Sequence, residues 1–178
     1  MMGSEERDEV VRNCATLYSG YERNPWGRTG AGWHDVIAEL SYRLEALNVQ
    51  FYERWKVRVV ASQVKEKCGT LRFYWSCVVD AEAEPTREQE VLRRHVTGLA
   101  EEYVRAAEKA CAGLCQDCGA PIGTEGSPRC TTLGWTAFLC RDCAVKPRED
   151  GSCVRYEMDG KFYCGAEEIP SPFVKAAK

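Results

Sequence analysis

Two Cys-x-x-Cys pairs, Cys115-Gln116-Asp117-Cys118 and Cys140-Arg141-Asp142-Cys143, constrain the fold of this chain more than any other feature. Two residues between sulfurs let one tight turn aim both at a single ion, and two such turns close a tetrahedron around Zn²⁺. Twenty-one residues separate the pairs, near the interval used by zinc ribbons. Gly119 follows the first pair, where a residue without Cβ lets backbone N–H groups turn toward the sulfurs and offset their negative charge. The expected ligands of one structural Zn²⁺ are therefore Cys115, Cys118, Cys140 and Cys143. Four thiolates close the coordination sphere, whereas a catalytic zinc keeps a position open. A thioredoxin-type dithiol needs a single such motif on a strand-to-helix turn, and here there are two in loops.

The chain carries eleven cysteines. An odd count and a charged start, Ser4-Glu5-Glu6-Arg7-Asp8 without an apolar signal core, predict reduced thiols in a cytoplasmic protein. Cys111, Cys130, Cys153 and Cys164 lie near the paired motifs and are candidates for a second four-thiolate zinc site. Cys111 is also a candidate to replace Cys115 as a ligand. The competing expectation is burial, since unpaired cysteines behave as small hydrophobes. Cys14, Cys68 and Cys77 are assigned to packing or a turn.

At 178 residues the chain is long enough to bury a core without staples, so a metal module adds to a core and does not replace one. No apolar run reaches the length of a membrane span. A short helix is predicted over roughly residues 5–17, with Val10, Val11, Cys14 and Leu17 on one face, followed by a glycine-rich turn region over 24–32. Trp33, Val36, Ile37, Leu40, Leu44 and Leu47 recur at helical spacing, which predicts an amphipathic helix ending before Asn48. Val57–Lys67 and Thr70–Val79 read as a hairpin around Cys68-Gly69, with Val64 opposite Phe73 and Ser62 opposite Trp75 on its buried face. Thr86-Arg87-Glu88-Gln89 is a capping box. The helix after it carries Leu92, Val96, Leu99, Tyr103, Ala106 and Ala110 as its inner stripe, and Gly113 ends it. A further hairpin is expected around Met158-Asp159-Gly160, and a tail from Ile169. The fold class predicted is α+β: an antiparallel β-hairpin sheet packed with two amphipathic helices over 1–112, a zinc-ribbon-like module over 113–146, and a hairpin extension and tail packed on that module over 147–178.

The residues point to no catalytic constellation. His34 and His95 are the only histidines, and neither stands at a motif spacing from a nucleophile or acid. The outer face of the first hairpin, Gln63, Lys65, Lys67, Arg72 and Tyr74, combines cations with an aromatic ring, as single-strand binders do. A solvated sheet face looks the same, and a net charge of −3 gives nucleic-acid binding little general support. The tryptophans are expected in the core or at its rim, Trp26 least readily because it sits in a glycine-rich loop.

Gly32-Trp33-His34-Asp35-Val36-Ile37, then Gln63-Val64-Lys65-Glu66-Lys67-Cys68-Gly69-Thr70-Leu71-Arg72-Phe73-Tyr74, then Cys115 to Gly119 and Gly134-Trp135 through Leu139 to Cys143, together resemble a family of small phage and prophage proteins of uncharacterised function. The likeness spans roughly residues 30–145. Cys68 stands where that family has phenylalanine, and the long interval between the cysteine pairs and the Cys153–Cys164 extension depart from its pattern. The resemblance implies a mobile-element origin in a host cytoplasm and carries no activity. It suggests a non-enzymatic accessory protein that binds a host protein, such as a defence or gene-expression factor. Nucleic-acid binding through the basic hairpin is the alternative, and an enzyme the third reading.

Overall fold

The computed structural model describes residues 2–21, 25–80 and 84–172. Among these residues the fold is α+β, with four α-helices and two antiparallel sheets. The expected tail beyond Pro172 lies outside the described residues.

Helix α1 (Ser4–Asn13) is followed by turns over 14–20, which still deliver Val10, Cys14 and Leu17 to the core. After a 3-10 turn at Ala31–Trp33, α2 runs from His34 to Trp55, eight residues past the expected stop before Asn48. Asn48 does not end the helix because its amide is employed sideways. Its Nδ2 donates to the Val59 carbonyl (3.0 Å) and to Glu45 Oε2 (2.9 Å), and its Oδ1 accepts from Val59 N–H (2.7 Å). A buried amide with these partners is satisfied in place.

Lys56, in the left-handed region (φ 56°), turns α2 directly into strand β1 (Val57–Lys67), which pairs with β2 (Thr70–Val79). Cys68 and Gly69 both have positive φ (52° and 77°), as a type I′ hairpin requires. Val64 opposes Phe73 as expected, but Ala61 rather than Ser62 opposes Trp75, because a β-bulge intervenes between Ala61 and Gln63. Val57, Val59 and Ala61 are buried at period two and Val64 breaks the phase; that phase jump is the extra bulge residue.

Helix α3 (Arg87–Ala112) starts on the expected capping box, with Gln89 N–H donating to Thr86 Oγ1 (3.2 Å) and Thr86 N–H to Gln89 Oε1 (2.9 Å). Its buried stripe is Val96, Ala100, Val104, Ala107 and Cys111; of the expected stripe Val96 is buried and Leu92, Leu99 and Tyr103 pack against the core, while Ala106 and Ala110 face solvent. Small residues on the inner line let the helix lie close to β2, where Phe73 N–H donates to Glu108 Oε1 (3.2 Å). α2, α3 and the hairpin enclose a core around the fully buried Trp33, Leu40, Leu44, Val59, Leu71 and Val96.

A two-stranded sheet has two open edges, which proteins must cover. The N-terminal segment covers that of β1: Ala61 N–H donates to the Leu17 carbonyl (2.8 Å), Val64 N–H to the Tyr21 hydroxyl (2.8 Å) and Glu66 N–H to the Arg28 carbonyl (2.7 Å). Asn48 serves Val59 on the same edge. Glu45 fixes this strap, accepting from Thr16 N–H (3.0 Å) and Leu17 N–H (2.8 Å).

The second sheet has the order β4-β3-β5-β6-β7, with β3 at Cys130–Thr132, β4 at Phe138–Leu139, β5 at Arg155–Met158, β6 at Lys161–Cys164 and β7 at Glu167–Ile169. Short helix α4 (Arg141–Val145) follows β4. β5 pairs directly with β3, matching Thr131 with Glu157 and Thr132 with Tyr156. The hairpin after residue 147 therefore shares one sheet with the cysteine-bearing segment. A second apolar cluster forms here from Cys115, Ile122, Cys130, Leu139, Cys143, Ala144, Val154, Tyr156 and Met158.

Candidate metal centre

The sulfurs of Cys115, Cys118, Cys140 and Cys143 all lie within 4.8 Å of one another. Cys118 and Cys140 Sγ are 3.6 Å apart, close to the roughly 3.8 Å edge of a tetrahedron with 2.3 Å Zn–S bonds. Cys115 and Cys143 are buried, and Cys118 and Cys140 lie nearer the surface. The four cysteines could hold a metal ion, and they are the only such group among the described residues.

Local backbone geometry brings the sulfurs together. Cys115 N–H donates to the Ala120 carbonyl (2.8 Å) and Gly119 N–H to the Cys115 carbonyl (2.9 Å), closing the first turn. Gly119 has φ 77°, which a side chain would strain. Gln116 N–H donates to the Phe138 carbonyl (3.0 Å), which locks this turn to β4 two residues before Cys140. The second turn begins with Cys140 as the cap of α4, and Ala144 N–H closes back on the Cys140 carbonyl (3.0 Å).

The thiols feel opposing influences. Burial pushes Cys115 up, against the backbone N–H groups of Cys140, Cys118 and Asp117 that favour its thiolate. Cys143 is pushed up, first by burial and then by Cys118 and Cys140. Cys118 also loses solvation, but the N–H of Ala120 and hydrogen bonds from Cys143, Cys115 and Cys140 outweigh that loss and hold it below the usual thiol range. Buried sulfur with converging N–H donors is the environment in which a bound cation stabilises every thiolate at once.

Sequence reasoning missed what backs the centre. Gly32 N–H donates to the Gln116 carbonyl (2.8 Å). A Cβ on Gly32 would collide with the Cys115 carbonyl oxygen and Gly119 N, and one on Gly30 with the Gln116 carbonyl. The glycine-rich segment before α2 is thus a bare-backbone seat for the first cysteine turn. The hairpin tip presses in from another side: a Cβ on Gly69 would strike the Phe138 ring, and Trp135 Nε1 donates to Glu66 Oε2 (3.1 Å). Arg129 stacks over the Phe138 ring at 4.8 Å and donates to the Ala112 carbonyl at the end of α3 (3.1 Å). The signal was glycine at 30 and 32 beside an aromatic residue, but its target lies more than eighty residues away in the sequence.

The second expected zinc site does not assemble. Cys111 is buried in the first core beneath α3, too enclosed to replace Cys115, while Cys130 sits in the second core with its Sγ 3.7 Å from Met158 Sδ. Cys153 and Cys164 are joined in a disulfide (Cα–Cα 5.6 Å), which also corrects the expectation that every thiol is reduced. Burial, first of the causes in each case, pushes the Cys14 and Cys111 thiols up to about 12 and Cys130 to about 11, consistent with packing.

Trp26 is buried, its ring 5.3 Å edge-on to His34, while Trp135 is 76% exposed, the reverse of their expected order. His34 is buried and held below its usual range, mainly by lost solvation and then by Arg7. His95 is exposed against Phe51. Neither histidine is part of the cysteine group. On the hairpin's outer face Gln63 opposes Tyr74 and Lys65 opposes Arg72, with Lys65 Nζ 5.1 Å from the Tyr74 ring centroid. No helix among the described residues is long and apolar enough to cross a membrane. Compared with protein-family models, curated proteins and solved structures, the chain matches none.

Proposed function

We propose that this chain is a non-enzymatic accessory protein of phage or prophage type, which holds one structural Zn²⁺ and acts by binding a host protein. The convergence of Cys115, Cys118, Cys140 and Cys143 carries the reading. Four thiolates within 4.8 Å of one another suit zinc, which takes a closed sulfur sphere without redox chemistry. Two cysteine turns with antiparallel strands between them support a ribbon-like reading of the module. The partner half rests on the resemblance over residues 30–145 and on Trp135, an exposed ring of the type that anchors protein interfaces.

Elemental analysis of chain purified without chelator tests the metal: about one zinc per chain is expected for a closed four-thiolate site, and metal-free folded protein would sink the reading. For the partner, Trp135→Ala should abolish stoichiometric capture of a host protein while leaving the zinc content unchanged. Capture that survives this change removes Trp135 as the anchor.

The outer face of the hairpin favours a second reading. Like charges directly opposite one another, as in Lys65 and Arg72, are unfavourable in a sheet, and none of Lys65, Lys67 and Arg72 has an ion-pair partner among the described residues. An anionic strand stacked on Tyr74 would relieve them. A gel shift at low salt that disappears in Lys65→Glu/Arg72→Glu supports this reading; no retardation at low salt removes it.

A further inference from the structure

We propose that Cys153 and Cys164 are a reversible thiol–disulfide exchange site for low-molecular-weight disulfides, whose oxidised state slows loss of metal from the neighbouring four-cysteine centre. The second half rests on the metal reading above.

The pair is placed for exchange. Cys164 is the last residue of β6, opposite Arg155, and Cys153 lies just before β5, so the bond closes the open end of the β5–β6 hairpin. Cys153 is exposed and Cys164 half-buried, so a small reagent reaches the bond from solvent. The remaining cysteines outside the metal centre are poor competitors. Cys14, Cys111 and Cys130 are buried with thiols pushed up by that burial, Cys77 is half-buried and pushed up likewise, and Cys68 has no cysteine partner. Exchange needs an accessible thiolate and a second sulfur within reach.

The coupling runs through Gly165. Its N–H donates to the Val154 carbonyl (3.0 Å), and its carbonyl accepts from the Tyr156 hydroxyl (3.0 Å). A Cβ on Gly165 would stand 3.6 Å from Cys153 Cβ and 3.8 Å from the Val145 carbonyl, at the end of α4. α4 carries Cys143, and Tyr156 shares the second core with Cys115 and Cys143. When the bond is reduced, the hairpin end opens locally, Gly165 withdraws from α4, and Cys143 loses its backing. Local openings of this kind set how readily a peripheral site gives up its ligand. The disulfide restricts that opening by closing the loop.

The exchange balances. The Cys153 thiolate attacks one sulfur of the small disulfide and expels one small thiolate, forming a mixed disulfide. The Cys164 thiolate then attacks Cys153 Sγ and expels the second. The chain loses two protons and two electrons, and the small disulfide is reduced to two thiols.

The test uses the full chain in buffers of graded glutathione and oxidised glutathione, with thiols trapped by alkylation and peptides mapped by mass. A Cys153–Cys164 cross-linked peptide that appears and disappears across the series supports the exchange site; a pair that stays reduced throughout overturns it. Zinc transfer to a chelating dye is then followed in both states, with release about tenfold slower from the oxidised chain. Cys153→Ser/Cys164→Ser should release zinc at the reduced rate in every buffer. Equal rates in the two states overturn the coupling. A chain that forms the cross-link but contains no zinc refutes the metal reading and upholds the exchange site.

Discussion

The two halves of the molecule solve the same problem with different means. The first packs α2, α3 and a hairpin around Trp33, Leu40, Leu44 and Leu71, all fully or almost fully buried. The second has strands of two to four residues, and its buried cluster counts three cysteines among nine members. Burying a large aliphatic side chain contributes about 1.5–3 kcal/mol, and the second half has few to bury. Its sulfurs do together what leucines do in the first half, provided that an ion holds them. On the proposed metal reading, the difference teaches that one region stands on its own apolar core while the other relies on the ion it binds.

The sharpest way to break that comparison is to take the metal away. Structural zinc contributes on the order of 10–16 kcal/mol of apparent binding energy in small peptides. Chelation, or Cys143→Ala, should therefore unfold residues 113–169 with amide exchange protection lost there. The first core should keep its protection except at the Gly30–Gly32 seat. Protection retained throughout the second half would show that it needs no ion.

The converse perturbation is Leu44→Ala. It should lower global stability by about 2–5 kcal/mol, as deletion of a buried leucine does, in denaturant titrations with zinc present or absent. An effect confined to zinc-bound protein would contradict the independence of the first core.

Gly32→Ala probes the junction. Its methyl group must displace the backbone of the first cysteine turn, so a cost of about 1–3 kcal/mol of overpacking is expected, together with faster zinc release. Unchanged zinc release would mean that the seat carries no load from the centre. The smallest effect belongs to Thr86→Ala, which removes the α3 cap at a cost of about 1 kcal/mol. Thermal melts should show it in the first half, with zinc affinity unaltered.

Much of this was legible in the sequence, for identifiable reasons. The four cysteines of the candidate centre, the capping box at Thr86 and the turn at Cys68-Gly69 are local signals, and the structure carries each where its spacing puts it. The second zinc site was a misreading of proximity along the chain. Cys111 rides on α3 into the other core, and Cys153 and Cys164 face each other across a hairpin end that spacing alone could not reveal. α2 outran its expected end because Asn48, polar in sequence, is satisfied by a strand it has not yet met in chain order. Trp26 and Trp135 exchanged places because loop burial depends on what the rest of the fold lays over the loop. Each cysteine turn, the cap and the hairpin turn is written within a few residues, whereas the end of α2, the burial of Trp26 and the pairing of Cys153 with Cys164 depend on how the rest of the fold is laid around them.

The strap along β1 has a consequence for biosynthesis. Leu17, Tyr21 and Arg28 leave the ribosome before Val57–Lys67, so the border of the ribbon is met by its cover as it emerges. A nascent chain of this kind exposes little unpaired strand to its neighbours, and unpaired strand is what aggregates. Deleting the first thirty residues would yield a polypeptide whose ribbon seeks company, and its fate would be inclusion bodies rather than a smaller folded protein.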